Sequence, residues 1–226
     1  MRFLTIMFFF CAFAWADFFP QTVERTVTSV SKDGITLCAP FPVNGMSGAV
    51  LHTYAQGIKA ITATVVQTSE GIKTIPYESI IHNNLPAVKT SIQVGDKVIG
   101  GYLYDTVLLL APDAATYERI TLSTQKKWVH PDLYAAFLSR NKDGQVTKKN
   151  LAAFSQEYQV GLVYMVKKNS AVLYDPKSQK IVAQKGFAST PMEAQVPFFT
   201  RLSKIRSGWF SRETKGDYYE LMEQFQ

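Results

Sequence analysis

The first half of the chain alternates short apolar and polar positions, the pattern of β-strands. In TVERTVTSV, which starts at Thr22, successive side chains fall on opposite faces of an extended strand. Turn signals such as Asp33-Gly34 and Gly95-Asp96 separate these runs. The pattern predicts roughly five to seven short strands, which bury their apolar faces by closing into a small barrel or a sandwich.

The second half mixes helical and strand patterns. Pro131 suits the first position of a helix through PDLYAAFL, and Asp132 favours the positive end of that helix. Thr147 is a good N-cap for KKNLAAFSQEY, as Asp113 is for AATYERITL. The runs LVYMV, SAVLYD and KIVAQKGF predict three further strands.

These patterns predict an α+β fold in two lobes. A β-rich, barrel-like or sandwich N-terminal lobe covers residues 17–123, and a smaller α+β lobe covers residues 124–212. Residues 213–226 are expected to form a charged C-terminal tail.

Residues 1–16, MRFLTIMFFFCAFAWA, have the pattern of a secretory signal peptide. Arg2 precedes an apolar stretch, and Ala14-Trp15-Ala16 fits a small-x-small cleavage site. The stretch is shorter than the roughly 20 apolar residues of a membrane-spanning helix, and no later run is long enough. We expect an exported protein without a transmembrane segment after cleavage, located in the periplasm or at the cell surface.

Composition narrows the classes of protein that fit. A hydrophobic content of 46% supports a buried core, so the chain is not of the disordered class. The net charge of +6 comes from scattered lysines rather than a basic block, which does not favour a nucleic-acid partner. Cys38 is the cysteine that remains after cleavage. It could be a reactive thiol, but its apolar setting GITLCAP favours a small buried hydrophobic residue.

The three histidines, His52, His82 and His130, are isolated from one another and from any pair of cysteines. His130 could act as a catalytic base or metal ligand, but its place before Pro131 favours a helix lead-in that packs on Trp128. We therefore predict no catalytic residue, no metal and no cofactor. A hydrolase that uses His130 or His52 is kept as an alternative.

The NKDG turn raises the alternative of a calcium-binding loop. With Asp143-Gly144 at positions five and six, the first position is Ser139 and the twelfth is Asn150. Such loops need Asp at the first and a bidentate Glu at the last position, so both anionic ligands are missing. A turn followed by the Thr147 N-cap explains the same residues.

The segment VPFFTRLSKIRSGWFSR, residues 196–212, combines apolar and basic residues. Such a segment could lie on a membrane surface. Pro197 and Gly208 interrupt its helical periodicity, which favours a strand or loop that closes the core of the second lobe.

Three stretches, VGDKVIGGYLYDTVLLLAPDAATYERI, WVHPDLYAAFL and VPFFTRLSKIRSGWF, resemble the N-terminal domain of bacterial plasminogen-binding proteins of the Pgb type. The resemblance covers about residues 19–210. It implies an exported, non-enzymatic protein that captures host plasminogen, whose kringle domains bind lysine side chains in an anionic and aromatic cradle.

In this family, binding is attributed to lysine, with a C-terminal lysine prominent. The sequence ends in Gln226, so an internal lysine beside an acidic residue is the alternative, with Lys215 between Glu213 and Asp217 as the candidate ligand-binding group. The competing interpretation of these residues is a solvated tail. A second functional hypothesis is a periplasmic envelope scaffold or assembly protein, whose partners are other envelope proteins.

Overall fold

The computed structural model describes residues 18–31, 34–75, 90–188, 194–202, 205 and 216–226. The first group of strands is β1 (Val23–Ser31), β2 (Gly34–Leu37), β3 (Ser47–Thr53), β4 (Lys59–Thr68), β5 (Gly71–Ile75) and β6 (Lys97–Gly100), with a 3₁₀ turn at Ala55–Gly57. The second group comprises β7 (Thr106–Leu110), α1 (Ala114–Ser123), β8 (Lys127–Val129), α2 (Pro131–Arg140), α3 (Lys148–Tyr158), β9 (Leu162–Val166), β10 (Ser170–Asp175), β11 (Lys180–Gly186) and α4 (Tyr218–Glu223).

The first six strands close into an antiparallel barrel in the order β1-β2-β5-β4-β3-β6. The barrel closes because β1 pairs with both β2 and β6. Inward-facing side chains such as Val27, Val50, Val65 and Val98 are almost fully buried. The structure therefore confirms the α+β class and the barrel-like first lobe.

Two glycines let an aromatic ring seal the barrel. Gly48 of β3 lies opposite Gly100 of β6, and the buried Phe41 ring packs over both. A Cβ atom would approach the Phe41 ring to 2.8 Å at Gly48 and 2.7 Å at Gly100, closer than van der Waals contact allows. Glycine at both positions therefore makes room for Phe41.

The second sheet has the strand order β11-β10-β9-β7-β8. Strands β8, β7 and β9 run parallel, and β10 and β11 continue the sheet antiparallel. Helix α1 packs on the face towards the barrel, where Ile120 joins the core of Met46 and Leu109. Helices α2, α3 and α4 cover the opposite face. Burial on both faces explains why β7 and β9 are continuous apolar runs.

The chain passes from the barrel to the second sheet in the turn at residues 101–105. The sequence pattern places the lobe boundary at residue 123, whereas β7, which precedes it, is already a strand of the second sheet, and α1 packs against that sheet. The run TVLLL indicates a buried strand but carries no signal for the sheet it joins, because a strand buried on both faces has lost its alternation.

A buried carboxylate links the two sheets. Asp175, at the end of β10, has no exposed surface. Its Oδ2 accepts hydrogen bonds from the Tyr104 hydroxyl at 2.6 Å and from the Ser47 backbone N–H of β3 at 3.0 Å. Its Oδ1 accepts from the N–H groups of Lys177 and Ser178 at 2.8 and 3.1 Å. Burial, and then the negative charge of Asp175, raise the pKa of Tyr104 well above its usual value.

The C-terminal segment packs into the second core. Its charged composition predicts a solvated tail over residues 213–226, but Tyr218, Met222 and Phe225 are fully buried against the sheet. The Tyr218 hydroxyl lies 2.8 Å from the carbonyl oxygen of Leu110, and the Lys167 ammonium donates to the Phe225 carbonyl at 2.8 Å. Apolar residues at every third or fourth position explain this docking.

We predict that Tyr104→Phe lowers the free energy of unfolding by about 1.5–3 kcal/mol, because it removes a hydrogen bond to a buried carboxylate. Tyr134→Phe is the matched control, since the buried Tyr134 hydroxyl has no hydrogen-bond partner in the described part of the chain. Urea denaturation of both variants tests the prediction. Equal losses in the two variants would show that the Asp175 network contributes no special stability.

Candidate functional site

The carboxyl ends of the parallel strands form an open edge of the second sheet. From β7 the chain turns to α1 on the barrel face, and from the neighbouring β8 it turns to α2 on the opposite face. The two connections therefore diverge to opposite faces of the sheet. In open α/β sheets, ligands bind beyond the carboxyl ends of the strands, at the point where neighbouring connections diverge in this way.

His130 lies at this edge, directly after β8, and forms the N-cap of α2. Its Nδ1 accepts a hydrogen bond from the Asp132 backbone N–H at 3.1 Å, while Pro131 opens the helix. The ring centroid of His130 lies 5.1 Å from that of Tyr117 and 6.3 Å from that of Phe199. The helix lead-in is thus confirmed, but the packing partner is not Trp128.

Trp128 instead faces the barrel side of the sheet, where its ring contacts Phe19 and Tyr164. The reason is the alternation of side chains along a strand, which directs Trp128 and Val129 to opposite faces. The prediction that His130 packs on Trp128 rested only on their closeness in the sequence and is wrong.

The segment Ala194–Leu202 crosses the same edge. The backbone N–H groups of Gln195 and Phe199 donate to the carbonyl oxygens of Pro112 and Ala111, at 2.7 and 2.8 Å. Phe198 is fully buried, with its ring 5.4 Å from that of Tyr134. Within this segment, Phe198 thus closes the core of the second lobe, and Thr200 and Arg201 lie beside α2.

Asp132 collects the hydrogen bonds that hold this segment. Its Oδ1 accepts from the Thr200 hydroxyl and from the Arg201 backbone N–H, both at 2.8 Å. Its Oδ2 accepts from the Arg201 Nε at 2.6 Å. Partial burial by itself would raise the pKa of the Asp132 carboxyl, but the hydrogen bonds from Arg201 and Thr200 outweigh it and hold the pKa below its usual value.

We name this group, Tyr117, His130, Asp132, Phe199 and Arg201, the carboxyl-edge cluster. It joins all three of the stretches on which the family resemblance was based. Sequence reasoning did not identify Tyr117, Asp132, Phe199 and Arg201 as site residues. The spacing contains no signal for the pair of Asp132 and Arg201, because 69 residues separate them.

Burial lowers the pKa of His130; the Asp132 charge raises it in part, and the Arg201 charge lowers it again. His130 is therefore neutral near pH 7. His130 Nδ1 lies 3.1 Å from the Asp132 backbone nitrogen and 3.3 Å from Asp132 Oδ2. In the tautomer whose Nδ1 accepts from the Asp132 N–H, the single ring proton is on Nε2. Burial is also the first cause that raises the pKa of Tyr117, and the nearby Arg201 charge opposes it.

The residues predicted to bind plasminogen fall mostly outside the described ranges. Lys215 and Glu213 lie in the undescribed residues 206–215. Asp217 is described: its exposed side chain caps α4 and accepts from the Tyr219 N–H at 2.6 Å. Its capping role neither supports nor excludes a part in ligand binding, so the three residues stay a prediction.

The other residues singled out in the sequence occupy separate places. His52 of β3 pairs with Asp96 at 2.7 Å, and His82 lies outside the described residues. Cys38 is exposed at the end of β2, so the expectation of a buried thiol is wrong. It follows Leu37, whose side chain points into the barrel, and therefore points outwards.

The NKDG turn is a capped helix connection. Asp143 accepts from the Gln145 N–H at 3.1 Å and from the Asn150 side chain at 2.9 Å, and Thr147 caps α3. This confirms the turn and N-cap prediction. No group of three or more His, Cys, Asp or Glu residues within the described ranges is arranged to hold a metal ion. Likewise, none of the described helices is long and apolar enough to cross a membrane.

We predict that the His130 imidazole titrates below its ordinary pKa of about 6.5. Asp132→Asn should lower that pKa further, because it removes the charge that favours the protonated ring, whereas Arg201→Gln should raise it. Titration of the ring C–H signals by NMR measures both shifts. A rise in Asp132→Asn, or a fall in Arg201→Gln, would contradict the electrostatic assignment.

Comparison with known proteins identifies relatives of the chain. Two curated relatives are the plasminogen-binding proteins PgbA of Helicobacter pylori strains J99 and 26695. Each is 24% identical over 157 residues, which cover 67% of this chain and 34% of the relative. The chain therefore spans about a third of the length of these relatives. No solved structure matches the chain.

The family described as "Plasminogen-binding protein pgbA N-terminal" matches residues 22–225. The match runs from the first strand of the barrel to the docked C-terminal segment and confirms the resemblance inferred from the three stretches. The chain belongs to the family of plasminogen-binding protein PgbA N-terminal domains.

Proposed function

We propose that this chain is an exported, non-enzymatic binding protein that captures host plasminogen through lysine side chains. The observation that carries the proposal is the family match over residues 22–225, which includes both the barrel and the second sheet. The curated relatives are named for plasminogen binding, and neither name describes a catalytic activity.

Export is part of this proposal. Residues 1–16 have the charge, length and cleavage pattern of a signal peptide. Close to the predicted cleavage site, Phe19 is 6% exposed, and the Phe18 ring lies 5.4 Å from that of Tyr164. The packing of Phe18 and Phe19 supports keeping these residues in the mature chain, as cleavage before Asp17 would do.

The lysine that binds plasminogen must present an ammonium group together with a carboxylate. Several described lysines already share their ammonium with a carboxylate, such as Lys97 with Glu24 at 3.1 Å and Lys73 with Glu70 at 2.9 Å. Such a direct ion pair neutralises the two charges that a kringle cradle would bind. The candidate remains Lys215, which Glu213 and Asp217 flank in the sequence.

One prediction about plasminogen binding concerns Lys215. The mature chain should bind immobilised plasminogen, 6-aminohexanoate should abolish the binding, and Lys215→Ala should weaken it roughly tenfold through loss of a charge-assisted contact. Lys127→Ala is the control, since its side chain is 76% exposed and paired with Asp105. Surface plasmon resonance measures all three. No binding at micromolar protein would refute plasminogen capture and favour an envelope scaffold or assembly protein.

A further prediction separates the contribution of the Asp217 charge to plasminogen binding from its role as a helix cap. Asparagine caps a helix about as well as aspartate, whereas alanine loses about 1 kcal/mol of stability. Asp217→Asn should therefore keep the free energy of unfolding but weaken plasminogen binding, while Asp217→Ala should lower both. Urea denaturation and plasmon resonance measure the two quantities. Unchanged plasminogen binding by Asp217→Asn would remove Asp217 from the binding group.

A further inference from the structure

The guanidinium of Arg201 is held in one orientation but remains open to solvent. Asp132 accepts from the Nε, and the Arg201 side chain is 69% exposed. No acceptor among the described residues bonds the two Nη groups. An arginine fixed through Nε presents the Nη groups as a preorganised pair of donors, so less side-chain entropy is lost when an acceptor binds.

Two further donors of the carboxyl-edge cluster have no partner within the described part of the chain. Nδ1 of His130 accepts from the Asp132 N–H, which leaves the Nε2–H as the free donor of the ring. The Tyr117 hydroxyl is the second, and the Tyr117 ring lies 5.1 Å from that of His130. Both side chains are partly exposed, so an acceptor on a ligand can reach these donors.

The charge of the cluster limits the class of ligand. Arg201 and Asp132 cancel, and His130 is neutral near pH 7, so the site carries almost no net charge. A doubly charged phosphate is poorly matched to a site whose single cation is already paired with a carboxylate. A singly charged carboxylate is better matched, because the planar Arg201 guanidinium can bind both of its oxygens and the neutral donors add to the contact. The rings of Tyr117 and Phe199, 5.5 Å apart, add an apolar wall beside the donors.

We propose that the carboxyl-edge cluster, beyond the carboxyl ends of β7 and β8, is a binding site for a carboxylate that carries an apolar or aromatic group. In this site the Nη groups of Arg201 hold the carboxylate oxygens, and His130 Nε2 and the Tyr117 hydroxyl complete the donor set. Phe199 packs against the apolar group, and Asp132 positions Arg201. A peptide with an acidic or chain-terminal carboxylate next to an aromatic residue has this chemistry.

The test uses 3-phenylpropionate as the probe, with its uncharged amide, 3-phenylpropionamide, as the matched ligand control. Titration is followed by NMR on the Arg201 Nε–H and His130 ring signals of the mature protein. We expect saturable shifts with the carboxylate and none with the amide. Arg201→Gln should weaken binding roughly tenfold or more, and Tyr117→Phe should weaken it by a smaller factor, since a neutral donor contributes less than a charged one.

The protein control is Arg140→Gln. Arg140 is 55% exposed and pairs with Glu157 at 2.6 Å, so it repeats the exposure and pairing of Arg201 away from the carboxyl edge. Binding should be unchanged in this variant. Equal binding of the amide, equal binding by Arg201→Gln, or tighter binding of inorganic phosphate than of 3-phenylpropionate would each overturn the proposal. Lys215→Ala should leave the NMR titration unchanged, so the outcome is independent of plasminogen capture.

Discussion

The buried carboxylate of Asp175 is the interaction on which the arrangement of the two sheets depends. It takes hydrogen bonds from the barrel through Ser47, from the connecting turn through Tyr104, and from the loop after β10 through Lys177 and Ser178. A charge without exposed surface is tolerated only when its oxygens are fully hydrogen-bonded. The four donors come from three separate parts of the chain, so the carboxylate specifies how barrel and sheet meet as well as stabilising them.

Once the barrel covers one face of the second sheet, the rest of the chain must cover the other. Helix α1 fits beside the barrel, and α2, α3 and the docked α4 bury the opposite face. Helices α1 and α2 diverge from the carboxyl edge, and the Ala194–Leu202 segment crosses that edge and brings Phe199 and Arg201 to it. The position of the carboxyl-edge cluster is thus a consequence of how the sheet is covered.

The two proposals invoke opposite recognition chemistries. Plasminogen capture, as proposed, needs a lysine ammonium group that enters a kringle cradle, whereas the carboxyl-edge cluster, as proposed, offers donors to an incoming carboxylate. Asp217 and Asp132 serve both local folding and the proposed recognition, since each also stabilises the start of a helix or the segment packed on it.

The sequence by itself determined the elements whose signals are local. The alternation of TVERTVTSV, the N-caps Asp113 and Thr147, the helix start at Pro131, and the runs LVYMV and SAVLYD each depend on neighbours a few residues away. The structure confirms them. The family resemblance rested on long ordered stretches and was likewise readable from sequence.

Only the tertiary structure decided which strands share a sheet, that the C-terminal segment docks, and that Asp132 meets Arg201 across 69 residues. These outcomes depend on contacts between distant parts of the chain, which leave no periodicity or spacing in the sequence.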